Sequence, residues 1–242
     1  MKTRGVSGSV LKWIAIIAMA IDHFGAGILE NFVLNAWGGS PLGDHYLPWW
    51  DQILSVDMIF RSIGRPAFPV FCFLLTEGFV HTRNVKKYAV RMGIFALVSE
   101  IPFDLALWGR LFDLEHQNVY FTLLIGLLAV WFIREYGRTV PVVALGLLGG
   151  SFLAELVRTD YGAFGVILIV VLYLLRDRRG VQCAAGALCC AWEMPAPLGF
   201  LPVFFYNGER GRQPKWFFYW FYPAHLLLYY IIGAWVLPAV IL

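Results

Sequence analysis

The chain has 242 residues, of which 60% are hydrophobic and 14% charged, whereas an ordinary soluble domain is roughly a quarter charged. With 17% aromatic residues and a mean hydropathy of +0.68, this composition excludes a soluble domain of any size and describes an integral membrane protein that occupies residues 1–242 as a single domain. The net charge of +3 is too small to point to a nucleic-acid partner, so the distribution of the charges carries more information than their sum.

The predicted fold is all-α. Apolar segments fall at 11–33, 56–80, 88–107, 119–135, 139–157, 161–175, 181–193, 196–206 and 216–241. Since about 20 residues cross a bilayer, this reads as a polytopic transmembrane helix bundle of about nine spans. The first run is too long for the apolar core of a signal peptide and lacks a small-residue cleavage site. Segment 181–206 holds Glu193, Pro195, Pro197 and Pro202 and is read either as two short spans or as a re-entrant hairpin, which membranes tolerate where protein or a water cavity covers the backbone. The loop at 34–55, with Trp37, Trp49 and Trp50, is expected to lie in the membrane interface as an aromatic belt.

Basic residues mark every second loop. Lys2, Arg4 and Lys12 precede the first span; Arg83, Lys86, Lys87 and Arg91 follow the second. Arg134 and Arg138 follow the fourth, Arg176, Arg178 and Arg179 the sixth, and Arg210, Arg212 and Lys215 precede the last. The opposite loops carry mostly acids. The positive-inside rule then puts the N-terminus in the cytoplasm. The four cysteines show neither CxxC nor zinc-site spacing and read as small core residues.

The ionisable residues within the spans carry the functional reading, because each costs roughly 3 kcal/mol or more at membrane depth. Asp22 and His23 interrupt the first apolar run. At 1.5 Å per residue, His23 lies about 16 Å past Lys12, and His225 lies about 15 Å past Lys215. Glu100 lies at a similar depth on the third span, with Asp104 one turn further out. Hence His23, Glu100 and His225 are expected to share one level, with Asp104, Arg65 and Glu30 just above it. Arg61 and Arg65 form an i, i+4 pair. Structural readings remain open for each group: Arg65 paired with Glu30 or Asp104, Asp22 orienting a neighbour, His225 bonding a carbonyl freed by Pro223. Glu77 and His81 read as interfacial groups or as the rim of a ligand entrance. Two basic loops, His81–Arg91 and Tyr206–Trp216, mix bases with Asn, Gly and aromatic residues, a composition suited to phosphate. No Walker pattern, GxGxxG or GxSxG elbow is present.

Several phrases together, LKWIAIIAMAIDHFG from residue 11, RSIGRPAFPVFCFLLTEGFVHTRNVKKYAVR from 61, EIPFDLA from 100, QNVYFTLLIGLL from 117, DYGAFGVILI from 160, LPVFFYNGERG from 201 and FFYWFYPAHLLLYYII from 217, resemble the TraX family. These are bacterial inner-membrane proteins named for the acetylase of F-type conjugative pilin. They are similar in turn to a wider group of multispan acyltransferases, chiefly through a His in an early span. The resemblance implies an acetyltransferase that uses acetyl-CoA as acyl donor, needs no metal, and in the type activity acetylates the N-terminal amine of pilin. It carries His23 over as general base. It also supplies Asp22, Arg65, Glu77, Arg83, Asn84, Lys87, Glu100, Asp104, Asn118, Asn207, Arg210, Tyr222 and His225 as candidate site residues.

The catalytic group is therefore expected to be His23, with Asp22 or Glu100 favouring its imidazolium and Arg65, Asn118 or His225 donating to the oxyanion. The CoA phosphates are assigned to Arg83, Asn84, Lys86, Lys87, Arg91, Asn207, Arg210 and Lys215. Partners are membrane lipid and an acceptor protein, glycan or small molecule, and a homo-oligomer is allowed. The rival class is a proton-coupled transporter or channel built on the same intramembrane His and carboxylate groups, against which stands the absence of an inverted repeat. A third class, a non-catalytic assembly or lipid-binding protein, makes the His23 cluster purely structural.

Overall fold

The computed structural model describes residues 5–35 and 41–241. Lys2, Arg4, Trp37 and the side chain of Lys215 lie outside the described residues. The fold is an all-α, multi-span bundle. Helix α1 (Gly8–Phe24) begins at Ser7, whose hydroxyl accepts from the Val10 N–H, and runs on through π-helical turns over Gly25–Leu34. There follow α2 (Pro41–Tyr46), a 3₁₀ turn at Leu47–Trp49, α3 (Trp50–Gly64), α4 (Ala67–His81) and α5 (Val85–Trp108). Next come α6 (Val119–Tyr136), α7 (Val140–Leu156), α8 (Gly162–Leu174) and α9 (Arg179–Cys189). The chain ends with α10 (Phe200–Phe204), α11 (Lys215–Ile231) and α12 (Leu237–Ile241).

Among the described residues, four helical stretches are long and apolar enough to cross a membrane: Gly8–Leu34, Asp44–His81, Val119–Tyr136 and Trp216–Val240. Val140–Leu156 and Gly162–Leu174 are shorter apolar helices. The expected loop at 34–55 is largely helical where described. The chain turns helical again at Pro41, and the apolar helical stretch begins at Asp44. Segment 181–206 does not make two full spans. Helix α9 has 11 residues and α10 has 5, so they extend only about 16 and 8 Å, short of a hydrocarbon core of about 30 Å. The prolines explain this, because Pro195 and Pro197 remove the amides that would have joined the two helices.

The main core gathers α1, α4, α6 and α8 around Leu11, Phe73, Phe79, Leu127, Val130, Ile169 and Leu172. Cys72, Cys183 and Cys190 are buried within it. A smaller core of Phe103, Ala106, Tyr222 and Leu226 joins α5 to α11. The junction between the two cores is where α1 meets α11. Helix α3 packs closely on α1 because Gly64 offers no side chain: a Cβ there would sit 2.0 Å from the Cβ of Asp22. This approach brings Arg61 of α3 to Asp22. Asn118 is fully buried and starts α6. It accepts from the Tyr120 N–H and donates to the Ala96 carbonyl at 2.8 Å and to the Glu100 carboxylate, tying α6 to α5.

Gly64→Ala is expected to push α1 and α3 apart and lower stability by about 1–3 kcal/mol, the usual range for overpacking. Gly149→Ala, inside α7 where an added methyl meets nothing within 4 Å, is the control and is expected to leave the unfolding midpoint in detergent no lower, and to raise it slightly through helix propensity.

Candidate functional site

Three sets of residues make up the site: a histidine pair, two arginine networks on the α1 side of that pair, and a basic cavity at the end of the bundle where α1 and α11 begin. His23 lies near the end of α1 and His225 in the middle of α11, two residues after Pro223. Nδ1 of His23 is 2.6 Å from Nε2 of His225. The two rings are parallel within 1°, with centroids 4.9 Å apart. Nitrogens this close cannot belong to rings stacked face over face, so the two nitrogens point at each other within a common plane. His225 is 6% exposed and its Nδ1 is 2.6 Å from the Phe221 carbonyl oxygen one turn back. The Phe221 ring stacks on it, and Tyr222 and Tyr229 meet it edge-on. The Tyr229 hydroxyl donates to the Ala20 carbonyl at 3.0 Å, which fixes α11 against α1 one turn before His23.

The neighbour of His23 in sequence turns elsewhere. Asp22 accepts from Nη1 of Arg61 at 2.5 Å, and Nε of the same Arg61 pairs with Glu30 at 3.1 Å. Asp57, 5% exposed, lies beside this group, with one oxygen lacking a hydrogen-bond partner. Arg65 pairs with Glu193, the acid that follows α9, at 2.8 Å, and also bonds the Tyr161 oxygen. The expected partners of Arg65, Glu30 or Asp104, are thus replaced. Glu30 is taken by Arg61, and Asp104 accepts from the Asp113 N–H at 2.9 Å. The reason is rotational: residues 61 and 65 lie on one helix face, and α1 covers the first while the α9 turn reaches the second. Glu100 faces Asn118, so neither expected carboxylate is hydrogen-bonded to His23.

The cavity has a volume of about 610 Å³. Its wall contains Lys12, Arg83, Arg91 and Arg210 as bases, with His81 and Glu77, and the rings of Phe71, Tyr88, Tyr120, Tyr206, Phe218 and Tyr219. Arg91 donates from Nε to the Tyr219 hydroxyl at 2.9 Å and lies over that ring and the Tyr88 ring. Lys12 donates to Gln213 at 2.9 Å and lies over Phe218. Burial, with Glu77 beside it, pushes the Tyr206 phenol above its ordinary range. The rim loop is held by main chain. Val6 donates to the Phe205 carbonyl, Asn207 to the Val6 carbonyl, and Gly8 to the Glu209 carbonyl, at 2.8–3.0 Å. Gly211, at φ +69°, passes against Ser7 and Ser9 in a conformation that favours glycine.

Of the residues assigned from sequence to phosphate, Arg83, Arg91 and Arg210 line the cavity. Lys86 and Lys87 are exposed outside it. Asn84 caps α5 by accepting from the Lys87 N–H, and Asn207 accepts from the Glu209 N–H in a turn. Four residues that sequence reading did not assign to a site belong to these sets: Lys12, read only as a topology marker; Arg61, seen only as the partner of Arg65 in spacing; Tyr219; and Glu193. For Lys12 a signal existed, since it shares α1 with His23 at eleven residues' distance. At its inner end the cavity reaches Tyr120, whose ring meets Tyr222 edge-on at 5.2 Å, and Tyr222 meets His23 edge-on at 5.6 Å. Two aromatic rings therefore separate the basic cavity from the histidine pair. Among the described residues, no three His, Cys, Asp or Glu side chains are grouped as metal ligands.

The family model of the TraX protein matches residues 7–233. The probable fimbrial assembly protein FimC, serogroup H1, of Dichelobacter nodosus is 33% identical over 248 aligned residues, which cover 90% of this chain and 92% of that relative. No solved structure matches the chain. The chain belongs to the TraX family.

Arg61→Met strips Asp22 and Glu30 of their shared guanidinium. The expected loss is about 1–3 kcal/mol, below the range for a fully buried pair broken on one side because Arg61 and Glu30 are partly exposed. Adding Asp22→Asn is expected to restore part of it, read as a non-additive coupling in unfolding midpoints.

Proposed function

We propose that this TraX-family membrane protein is an acetyltransferase that moves an acetyl group from acetyl-CoA on the cytoplasmic side to an amine or hydroxyl of an acceptor in the membrane or beyond it. The observation that carries the reading is that, among the described residues, only the Tyr120 and Tyr222 rings stand between the basic cavity and the His23–His225 pair. Four bases with aromatic surfaces between them suit a ligand that has phosphates at one end and a flat ring system. Lys12 and His23 are eleven residues apart on α1, so about 16 Å of helix separates the phosphate end from the base, a span that an extended pantetheine arm covers. The N-terminus is placed in the cytoplasm on this reading, because the cavity opens at the end of the bundle where α1 begins. The localisation is a bacterial inner membrane.

In the reaction His23 takes a proton from the acceptor nitrogen or oxygen. That atom then attacks the thioester carbonyl, the C–S bond breaks, and the thiolate of CoA leaves and takes a proton back from the His23 imidazolium. General-base assistance of this kind is worth about 10²–10⁴-fold. Asp22 and Arg65 act on this reading through the networks that fix α1 against α3 and the α9 turn. Glu100 and Asn118 act through the α5–α6 junction that supports Tyr120. The relative's name, a probable fimbrial assembly protein, favours an acceptor drawn from a surface filament, such as the N-terminal amine of a pilin subunit.

The test is CoA release from acetyl-CoA by purified protein in detergent, with amine and hydroxyl acceptors supplied. His23→Ala is expected to abolish turnover in protein that still folds, while failure of the wild type to bind acetyl-CoA sinks the reading. Proton-coupled solute flux in liposomes without thioester cleavage selects the transporter instead. Arg210→Ala and Lys12→Ala are each expected to raise KM for acetyl-CoA about tenfold, equivalent to about 1.4 kcal/mol, with kcat nearly unchanged. A fall in kcat at constant KM in both variants removes the cavity from the donor site.

A further inference from the structure

The hydrogen bonds around the histidine pair decide which nitrogen of His23 carries its proton. The Phe221 carbonyl can only accept, so Nδ1 of His225, 2.6 Å away, is the protonated nitrogen of that ring. A neutral His225 then offers Nε2 as a bare lone pair. That lone pair is 2.6 Å from Nδ1 of His23 and in the plane of both rings. Two lone pairs facing each other at this distance repel, so Nδ1 of His23 is protonated and donates. The proton chain thus runs from His23 Nδ1–H to His225 Nε2, and from His225 Nδ1–H to the Phe221 oxygen. Nε2 of His23 is left as the basic nitrogen, and no described residue bonds to it. The tautomer of an imidazole is set by the bond that its other nitrogen makes.

We propose that His225 is a positioning residue that locks His23 in the Nδ1–H tautomer, so that Nε2 is the base that receives the acceptor proton. This deepens the acetyltransferase reading and rests on it for its chemical consequence, although the tautomer itself does not depend on any activity. His225 is suited to the task because it cannot drift. It is buried, stacked on Phe221, flanked edge-on by Tyr222 and Tyr229, and carried by a helix that Tyr229 bonds to α1. When Nε2 takes the acceptor proton, the His23 imidazolium keeps its Nδ1–H bond to His225. The base is oriented before the reaction and supported after the proton arrives.

The experiment is ¹⁵N NMR of histidine-labelled protein in bilayers, with His23→Ala used to assign the His23 signals. His225→Gln and His225→Leu are measured alongside, each with its kcat and KM for acetyl-CoA. The wild type is expected to show His23 protonated on Nδ1 and bare on Nε2. His225→Gln, whose amide oxygen can accept in place of Nε2, is expected to keep that tautomer and most of kcat. His225→Leu is expected to lose the tautomer and about 10²-fold in kcat, the lower end of what a general base contributes, with KM unchanged. A wild-type spectrum with His23 protonated on Nε2 overturns the proposal, even if His225→Leu fails to fold. So do equal losses of kcat in the Gln and Leu variants with the tautomer intact, because His225 is then acting in its own right. Full activity in His23→Ala instead removes His23 as the base, and absence of acetyl-CoA turnover in the wild type defeats the acetyltransferase reading, while in either case the spectra decide the tautomer.

Discussion

The centre of this molecule depends on one constraint: among apolar helices, a charge or an N–H without a partner is too costly to leave. Breaking a fully buried ion pair on one side costs about 3–5 kcal/mol, and even the smaller cost for a half-buried pair is a sizeable part of the stability of a chain this size. The helices are accordingly clasped by polar bonds at defined places. Arg61 holds α3 to Asp22 and Glu30 of the first helix, Arg65 holds the α3–α4 bend to Glu193 beyond α9, and Asn118 holds α6 to α5. The histidine pair is the bond of this kind between α1 and α11. Each clasp fixes the rotation of a helix as well as its position, which apolar packing alone does weakly between helices in lipid.

Helix α1 collects the consequences. It carries Lys12 at the cavity, Asp22 in the arginine network and His23 in the pair, so one rigid element sets the separation between the basic cavity and the histidine pair. Gly64 makes this arrangement possible from the other side by letting α3 approach Asp22 without a side chain between them. The loop at 205–213 closes the same helix from below, bonded through main chain to Val6 and Gly8. The cavity is therefore bounded by parts of the chain about 200 residues apart, joined at the beginning of α1.

Much of this was legible in the sequence and some was not, for a definite reason. Residue counts along helices give depth, because the rise per residue is constant, and counting from Lys12 and Lys215 put His23 and His225 at one level. Their 2.6 Å contact agrees with that depth. Counts do not give rotation about a helix axis or the identity of the neighbouring helix. Hence Arg65 was matched to acids at the right height, whereas its partner is Glu193, from a segment whose path the prolines obscured. The same gap explains Glu100, which shares the expected depth but faces Asn118 at the start of α6. The family resemblance was readable because its motifs run in order through nearly the whole chain, and the match over residues 7–233 bears it out.

The choice of a second histidine as the partner of His23, where soluble hydrolases commonly use a carboxylate, follows from the same constraint. A carboxylate beside a neutral imidazole would be a lone buried anion in the resting state, stabilised only once the base became protonated. In an apolar bundle the desolvation of that anion is paid throughout, or the group takes up a proton and ceases to accept. A neutral imidazole accepts the same Nδ1–H bond with no net charge at rest. On the proposed acetyltransferase reading, charge develops at the pair only when the acceptor proton arrives, where it lowers the barrier and does not burden the ground state. Among the acids of the bundle, Asp22 and Glu30 are matched by Arg61 and Glu193 by Arg65, and Glu100 faces Asn118, so the bond to His23 Nδ1 falls to His225. If the proposed base is His23, a histidine partner is in this sense the form of support that an apolar bundle favours over a carboxylate.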